Sequence, residues 1–320
     1  MNKCLVCFSP LDATHDSANN SSRDSAYHPR CAKALFETAT VPAIDIDMNA
    51  LVEAGLSLLR ASGSVAGVQK KLSVDRHPDE PRRLNLQALG GRFILKPPVD
   101  EYPNLVENEA FCMELSQQLG FPTAPHGLAR LVDGTLVYLT RRFDRPPNGI
   151  KVPQEDFCQL SQRPSADKYK GSLEAASKAL AYSSQAGLDA VRFLELNLMA
   201  WLMGNADLHL KNFSLYCPQA ERWQLTPAYD LVSTALVLPG DREETALTLN
   251  GKKSHLRLGD WLALSAKLGV GEKVLRNLAG RFLRAWPRVE ILCRTSFLPA
   301  GQQDSFLGRW QERAGRLAVG

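Results

Sequence analysis

No stretch of this chain is both long enough and sufficiently free of charge to cross a bilayer. The most apolar segment, Leu188 to Ala206, is interrupted by Asp189, Arg192 and Glu195, whereas a spanning helix needs about 20 predominantly apolar residues. Met1 to Pro10 carries a lysine and only a brief apolar run, too short for a secretory signal. A cytoplasmic protein without membrane contact is the expectation. Excess charge is also scarce: 38 Lys and Arg against 34 Asp and Glu leave +4 over 320 residues, which argues against a nucleic-acid-coating protein. An odd count of seven cysteines with no export signal argues against a disulfide framework. Cys112, Cys158, Cys217 and Cys293 stand apart beside apolar neighbours and read as small core residues. The phosphate-binding patterns Gly-x-x-x-x-Gly-Lys-Ser/Thr and Gly-x-Gly-x-x-Gly are both missing.

What is present is a globular composition, 44% apolar and 22% charged. Residues 1–45 form a candidate unit of their own, with Cys4-x-x-Cys7, a polar run, and His28-x-x-Cys31. From 46 to 148 the pattern mixes strands with one helix. Lys71 to Asp75 and Arg92 to Pro97 read as strands, Asn104 to Leu119 as a helix stopped by Gly120 and Pro122, and Gly127 to Phe143 as a hairpin around Asp133-Gly134. After the Pro-rich Arg145 to Gly149, residues 149–320 are largely helical, with periodic segments at 173–180, 188–203, 258–268, 274–293 and 304–319. The fold class expected is therefore α+β, a β-rich lobe followed by a helical lobe.

Three polar positions stand out in the second half. Asp207 and Asn212 are five positions apart. Protein kinases use the same Asp-x-x-x-x-Asn step, the Asp receiving the attacking hydroxyl's hydrogen bond and the Asn carbonyl binding magnesium. Asp230, 18 residues beyond Asn212, is placed to supply a second magnesium ligand, an oxygen donor that suits this hard cation. Lys96 closes the apolar strand Phe93-Ile-Leu95; a lysine there is costly to bury unless an anion meets it. In kinases such a lysine contacts phosphate and pairs with a helix glutamate, for which Glu107 and Glu109 are candidates, Glu109 favoured. Singly, each has a plainer reading: a turn or helix-capping aspartate at 230, a lysine reaching solvent at a strand end. Small residues at Ala66 and Gly67 allow backbone N–H groups to approach phosphate oxygens.

Together the motifs Ser64-Val-Ala-Gly-Val-Gln-Lys-Lys-Leu72, Phe93 to Pro97, Arg142 to Arg145, Gln154 to Phe157, Gly204 to Ser214 and Pro227 to Thr234 resemble the ordered motif set of the HipA kinases. The resemblance implies a bilobed protein-kinase-like fold and ATP-dependent phosphorylation of protein Ser or Thr, with an aminoacyl-tRNA synthetase as target and a DNA-binding antitoxin of HipB type as partner. It implies Asp207 as the catalytic aspartate, Asn212 and Asp230 on magnesium, and Lys96 on phosphate. Ala66, Gly67, Val68, Gln69, Lys70 and Lys71 would cover the phosphates. Arg141, Arg142 and Phe143 would form the adenine-reading hinge, and His209, Leu210, Lys211 and Tyr229 would line the nucleotide site. Ser64 matches the family's autophosphorylated serine; about two negative charges beside ATP phosphates would repel nucleotide or move the loop. Only about 60 residues precede Ser64, so the chain resembles the short, split form called HipT, in which a separate small protein supplies the missing N-terminal subdomain. A small-molecule kinase and a non-catalytic toxin–antitoxin module are the alternatives.

Cys4, Cys7, His28 and Cys31 offer three sulfurs and one nitrogen in two close pairs, a set that suits tetrahedral zinc. With all four positions filled, the role expected is structural, in a small zinc-ribbon-like unit where metal binding replaces a core.

Overall fold

The computed structural model describes residues 2–11, 26–53, 71–77, 79–80, 82–87, 90–147 and 149–318. Ser64, Ala66, Gly67, Val68, Gln69 and Lys70 lie outside the described residues. The chain divides into two compact units, the first Met1–Glu114, Ala124–Ile150 and Thr295–Phe297, the second Leu115–Thr123, Lys151–Arg294 and Leu298–Gly320.

The first unit is built on a five-stranded antiparallel sheet. Its strands are β1 (Leu72–Arg76), β2 (Leu84–Gln87), β3 (Phe93–Lys96), β4 (His126–Arg130) and β5 (Leu136–Arg141), in the order β2-β1-β3-β5-β4. The β4–β5 hairpin turns where Asp133-Gly134 marks it. Gly134 takes φ 84°, and the Asp133 carboxylate accepts the Thr135 N–H at 2.9 Å, a local bond that fixes the turn. Strand β2 was not read from the sequence, because Leu84-Asn-Leu-Gln87 alternates over only four residues, too short a run to mark a strand. Two helices of this unit matter below: α1 (Pro29–Phe36) and the start of α2 (Leu105–Gln118). Val106, Ala110, Phe111 and Met113 of α2 are all buried.

The Cys/His segment packs on the edge strand β4. Leu128 N–H donates to the Leu5 carbonyl at 2.8 Å, and Tyr27 Oη donates to the Leu128 carbonyl at 2.8 Å. Gly127 permits this approach, since a Cβ there would lie 2.7 Å from a Val6 methyl.

The second unit is centred on α3 (Ala186–Met203), buried along almost its whole length from Phe193 to Met203. Around it pack α4 (Leu258–Lys267), α5 (Glu272–Arg284) and α7 (Ala300–Ala318). The periodicity at 274–293 belongs to two helices, α5 and α6 (Trp286–Thr295). Pro287 has no N–H and clashes with a preceding carbonyl, so it breaks the helix and sits near the start of the next. Likewise 173–180 is one α turn, Leu173–Ala176, followed by a 3₁₀ segment, Ser177–Tyr182. A three-stranded antiparallel sheet, β6 (Gln154–Asp156), β7 (Ser214–Gln219) and β8 (Arg222–Leu225), completes the unit. Buried Asp189 ties β8 to α3 by accepting from Leu225 N (2.7 Å), Ser183 Oγ (2.6 Å) and Gln185 Nε2 (3.1 Å); that satisfies a carboxylate which would otherwise be costly to bury.

Candidate active site and metal cluster

In the second unit the sequence ends α3 at Gly204, and the fold requires glycine there twice over. Its φ is 83°, and a Cβ would meet Arg309 Cδ at 3.0 Å and Ser233 Oγ at 3.1 Å. The following loop is held by local bonds. Asn205 Oδ1 accepts Asp207 N–H at 2.8 Å, Thr234 Oγ1 accepts Ala206 N–H at 2.8 Å, and Asn212 Oδ1 accepts His209 N–H at 3.0 Å. Asn212 Nδ2 donates to Asp230 Oδ2 at 3.2 Å, so the two residues assigned to magnesium are in direct contact. Asp230 sits at φ 60°, a left-handed conformation unusual for a non-glycine residue and frequent at functional sites.

Asp207 is half-buried and carries a partner of which the residue pattern holds no sign. Tyr169 Oη donates to Asp207 Oδ1 at 2.5 Å. Burial, reinforced by that bond and by the nearby carboxylates, pushes the Tyr169 hydroxyl well above its ordinary value. The Tyr169 ring stands edge-on to His209, centroids 4.9 Å apart. His209 is buried, and desolvation lowers its pKa despite the pull of Asp207.

The other residues expected at the nucleotide are placed as follows. Tyr229 Oη bonds to Ser214 Oγ at 2.6 Å and donates to the Lys211 carbonyl at 3.0 Å, which fastens the loop to β7. Lys211 Nζ meets Asp156 Oδ2 at 2.5 Å, and Asp156 also accepts the Gln159 N–H that caps the short helix Phe157–Leu160. Leu210 is buried. In the first unit, Arg141 N–H donates to the Pro125 carbonyl and Arg142 N–H to the Arg92 carbonyl, each at 2.8 Å. Those two backbone donors of the expected hinge are thus engaged. Their side chains pair with Glu37 and Asp144.

Lys96, also in the first unit, meets Glu109 through both carboxylate oxygens, at 2.5 and 2.7 Å. Both residues are almost wholly buried, at 3% and 1% exposure. Of the two glutamates the sequence offered on this helix, Glu109 makes the pair. Lys96 also lies 5.4 Å from the Tyr138 ring centroid.

Cys4, Cys7, His28 and Cys31 converge, their ligand atoms all within 4.8 Å of one another. The x-x spacings have separate local causes. A tight turn bonds Phe8 N–H to the Cys4 carbonyl at 3.0 Å, while His28 caps α1 and Cys31 lies in its first turn. His28 Nε2 is 3.2 Å from the Pro10 carbonyl and Nδ1 is 3.3 Å from Cys7 Sγ. A proton on Nε2 leaves Nδ1 as the ligating atom, the usual outer-sphere arrangement of a metal-bound histidine. Hydrogen bonds from the Cys31 and Cys4 thiols push Cys7 strongly toward thiolate. The donor set and its convergence fit zinc.

The fold is that of the HipA kinases: HipA of Shewanella oneidensis, solved with HipB and operator DNA, superposes with a TM-score of 0.68 at 23% identity, over 80% of this chain and 65% of that one. The Helicobacter pylori proinflammatory kinase CtkA superposes at 0.52 and 14%, covering 73% and 88%. The chain belongs to the family described as the HipA-like C-terminal domain, which it matches over residues 63–289. A Sinorhizobium fredii protein named "Putative kinase Y4dM" is 32% identical over 75% of this chain and 62% of its own length. A Haemophilus influenzae protein named "Putative kinase" is 30% identical over 79% and 81%. The chain thus spans about three-fifths of the Y4dM protein and 53% of a second S. fredii relative, Y4mE.

Proposed function

We propose that this chain is an ATP-dependent serine/threonine protein kinase and the toxin of a bacterial toxin–antitoxin pair. The observation that carries the reading is the contact of Asn212 with Asp230 on the same short segment set that presents Asp207. A carboxamide and a carboxylate oxygen together suit magnesium, which prefers hard oxygen donors and few protein ligands. Bound there, magnesium would neutralise charge developing on the transferred phosphoryl group. Asp207 accepts the hydrogen bond of the substrate Ser or Thr hydroxyl and takes its proton as the new O–P bond to the γ-phosphorus forms and the β,γ-bridging P–O bond breaks, ADP leaving with that bond's electron pair. Lys96, oriented by Glu109, contacts phosphate. Tyr169 Oη occupies Asp207 Oδ1, so it competes with the attacking hydroxyl for this carboxylate. Most of the barrier reduction comes from positioning and charge neutralisation.

An aminoacyl-tRNA synthetase is the proposed target, and the antitoxin is of HipB type. The Shewanella relative's complex with HipB and operator DNA supports that partnership. DNA is reached only through the antitoxin. We assign Ser64 as the autophosphorylation site, the Cys4-Cys7-His28-Cys31 cluster as structural zinc, and the cytoplasm as the location.

The test is incubation of the chain with lysate and γ-labelled ATP, followed by phosphoproteomics against Asp207→Asn. Loss of the general base should slow transfer by roughly two to four orders of magnitude, with Ser64 phosphate absent from the variant. A near-wild-type rate in Asp207→Asn would refute the assignment, and transfer to a sugar or inositol but to no protein would replace it with a small-molecule kinase.

A further inference from the structure

Within the second unit, apart from Asp207, Asn212 and Asp230, lies a polar cavity of about 680 Å³. Its walls come from the segment after Asp230 and from one face of α7. Arg242, Arg257, Arg309, Arg313 and Arg316 all line it, with four carboxylates. The carboxylates are already engaged. Glu244 accepts from Trp201 Nε1, Leu256 N–H and Arg316, at 3.0, 3.1 and 2.8 Å. Glu243 holds Lys253 at 2.9 Å, Glu312 holds Arg316 at 3.1 Å, and Asp241 accepts the Glu243 N–H at 2.9 Å. Among the described residues, no carboxylate lies within ion-pair distance of Arg242, Arg257, Arg309 or Arg313.

Arg313 makes the imbalance costly. It is 97% buried (3% exposed); among the described residues its one hydrogen bond goes to the Trp201 carbonyl, and its Nε has no partner. Nε of Arg309 is also buried without a partner. Burial outweighs the pull of Glu244 and Glu312 and, with repulsion from Arg309 and Arg316, lowers the Arg313 pKa to about 10. A guanidinium held this way is expensive unless an anion meets it. Arginine forks match phosphate oxygens two at a time, and the volume falls in the range of small-ligand pockets.

We infer that this cavity is a binding site for a phosphate dianion, presented by a small phosphorylated molecule or as free phosphate, held by Arg257, Arg309 and Arg313. The site abuts the proposed catalytic loop. Thr234 lines the cavity while its hydroxyl accepts the Ala206 N–H at 2.8 Å and donates to the Gly204 carbonyl at 3.1 Å, just before Asp207.

Isothermal titration of the full chain, saturated with magnesium and a non-hydrolysable ATP analogue, tests this. Failure of the analogue itself to bind is read separately and speaks to the kinase proposal alone. Inorganic phosphate should bind in one equivalent, and Arg257→Ala/Arg309→Ala should weaken it by about tenfold or more, as expected for losing charge-assisted hydrogen bonds. Acetate at equal concentration should give no heat. Tighter binding of phosphoserine amide supports an esterified ligand, and tighter binding of inorganic phosphate supports the free ion. Arg257 is exposed, so Arg257→Ala alone, read as a smaller phosphate-induced rise in melting temperature, keeps the test open if the double variant fails to fold. No phosphate binding to the wild type, or equal affinity in the Arg257 and Arg309 variants, would overturn the inference.

Discussion

Removing one member of the Lys96–Glu109 pair gives the most demanding test of the first unit. Glu109→Gln preserves shape and leaves the Lys96 ammonium at 3% exposure, without the carboxylate that meets it at 2.5 and 2.7 Å. Breaking a buried pair in this way costs roughly 3–5 kcal/mol, because the remaining charge stays desolvated. At roughly 2–4 °C per kcal/mol for a chain of this class, melting should fall by about 6–20 °C. Lys96→Met/Glu109→Leu removes both charges and keeps the apolar stem beside Tyr138. Replacing a buried pair with apolar groups is often neutral or stabilising, so the double variant should melt within a few degrees of wild type while transferring no phosphate. Denaturation followed by near-ultraviolet circular dichroism, run beside γ-labelled ATP assays, reads both quantities. A single variant that loses less than about 1 kcal/mol would show that the ammonium reaches water, and the argument for a buried, pre-aligned lysine would fail. A stable double variant with full activity would remove Lys96 from the mechanism.

Three further outcomes follow from the same structure. Tyr169→Phe should lower KM for the protein substrate by up to about tenfold with kcat little changed, since the hydroxyl competes for Asp207 with a charge-assisted bond; a raised KM would make Tyr169 a substrate contact instead. His209 has a lowered pKa, so below its ordinary value near 6.5 the unfolded chain binds more protons than the folded one. Its contribution is neutral at higher pH and destabilising as pH falls from 6.5 through the folded value; His209→Asn should flatten urea midpoints over that window, and an unchanged pH slope would refute it. Cys7→Ser should lose zinc by elemental analysis and lower the melting temperature, whereas a metal-free wild type with unchanged stability would remove zinc from the unit.

Much of the site was legible because its signals are local. The five-residue step from Asp207 to Asn212, the two Cys/His pairs, and a lysine closing an apolar strand each follow from short-range geometry. The hairpin at Asp133-Gly134 and the helix stop at Gly204 were likewise written in turn and cap chemistry. The break at Pro287 was available in principle, but apolar periodicity ran through it and concealed two helices. Strand β2 had too few residues to show a pattern.

What the sequence determined by itself is the chemistry available: oxygen donors for a hard cation, soft donors for zinc, and a lysine that needs an anion. Tertiary structure alone decided which groups meet. Glu109, already favoured over Glu107, meets Lys96 at 2.5 Å because packing sets the rotation of the helix against the sheet. Lys211 is drawn to Asp156, and Tyr169 reaches Asp207 from 38 residues away. The arginines at 257, 309 and 313 gather only when α7 packs against the segment after Asp230. Such long-range pairings follow from burial and chain closure, which no local spacing encodes.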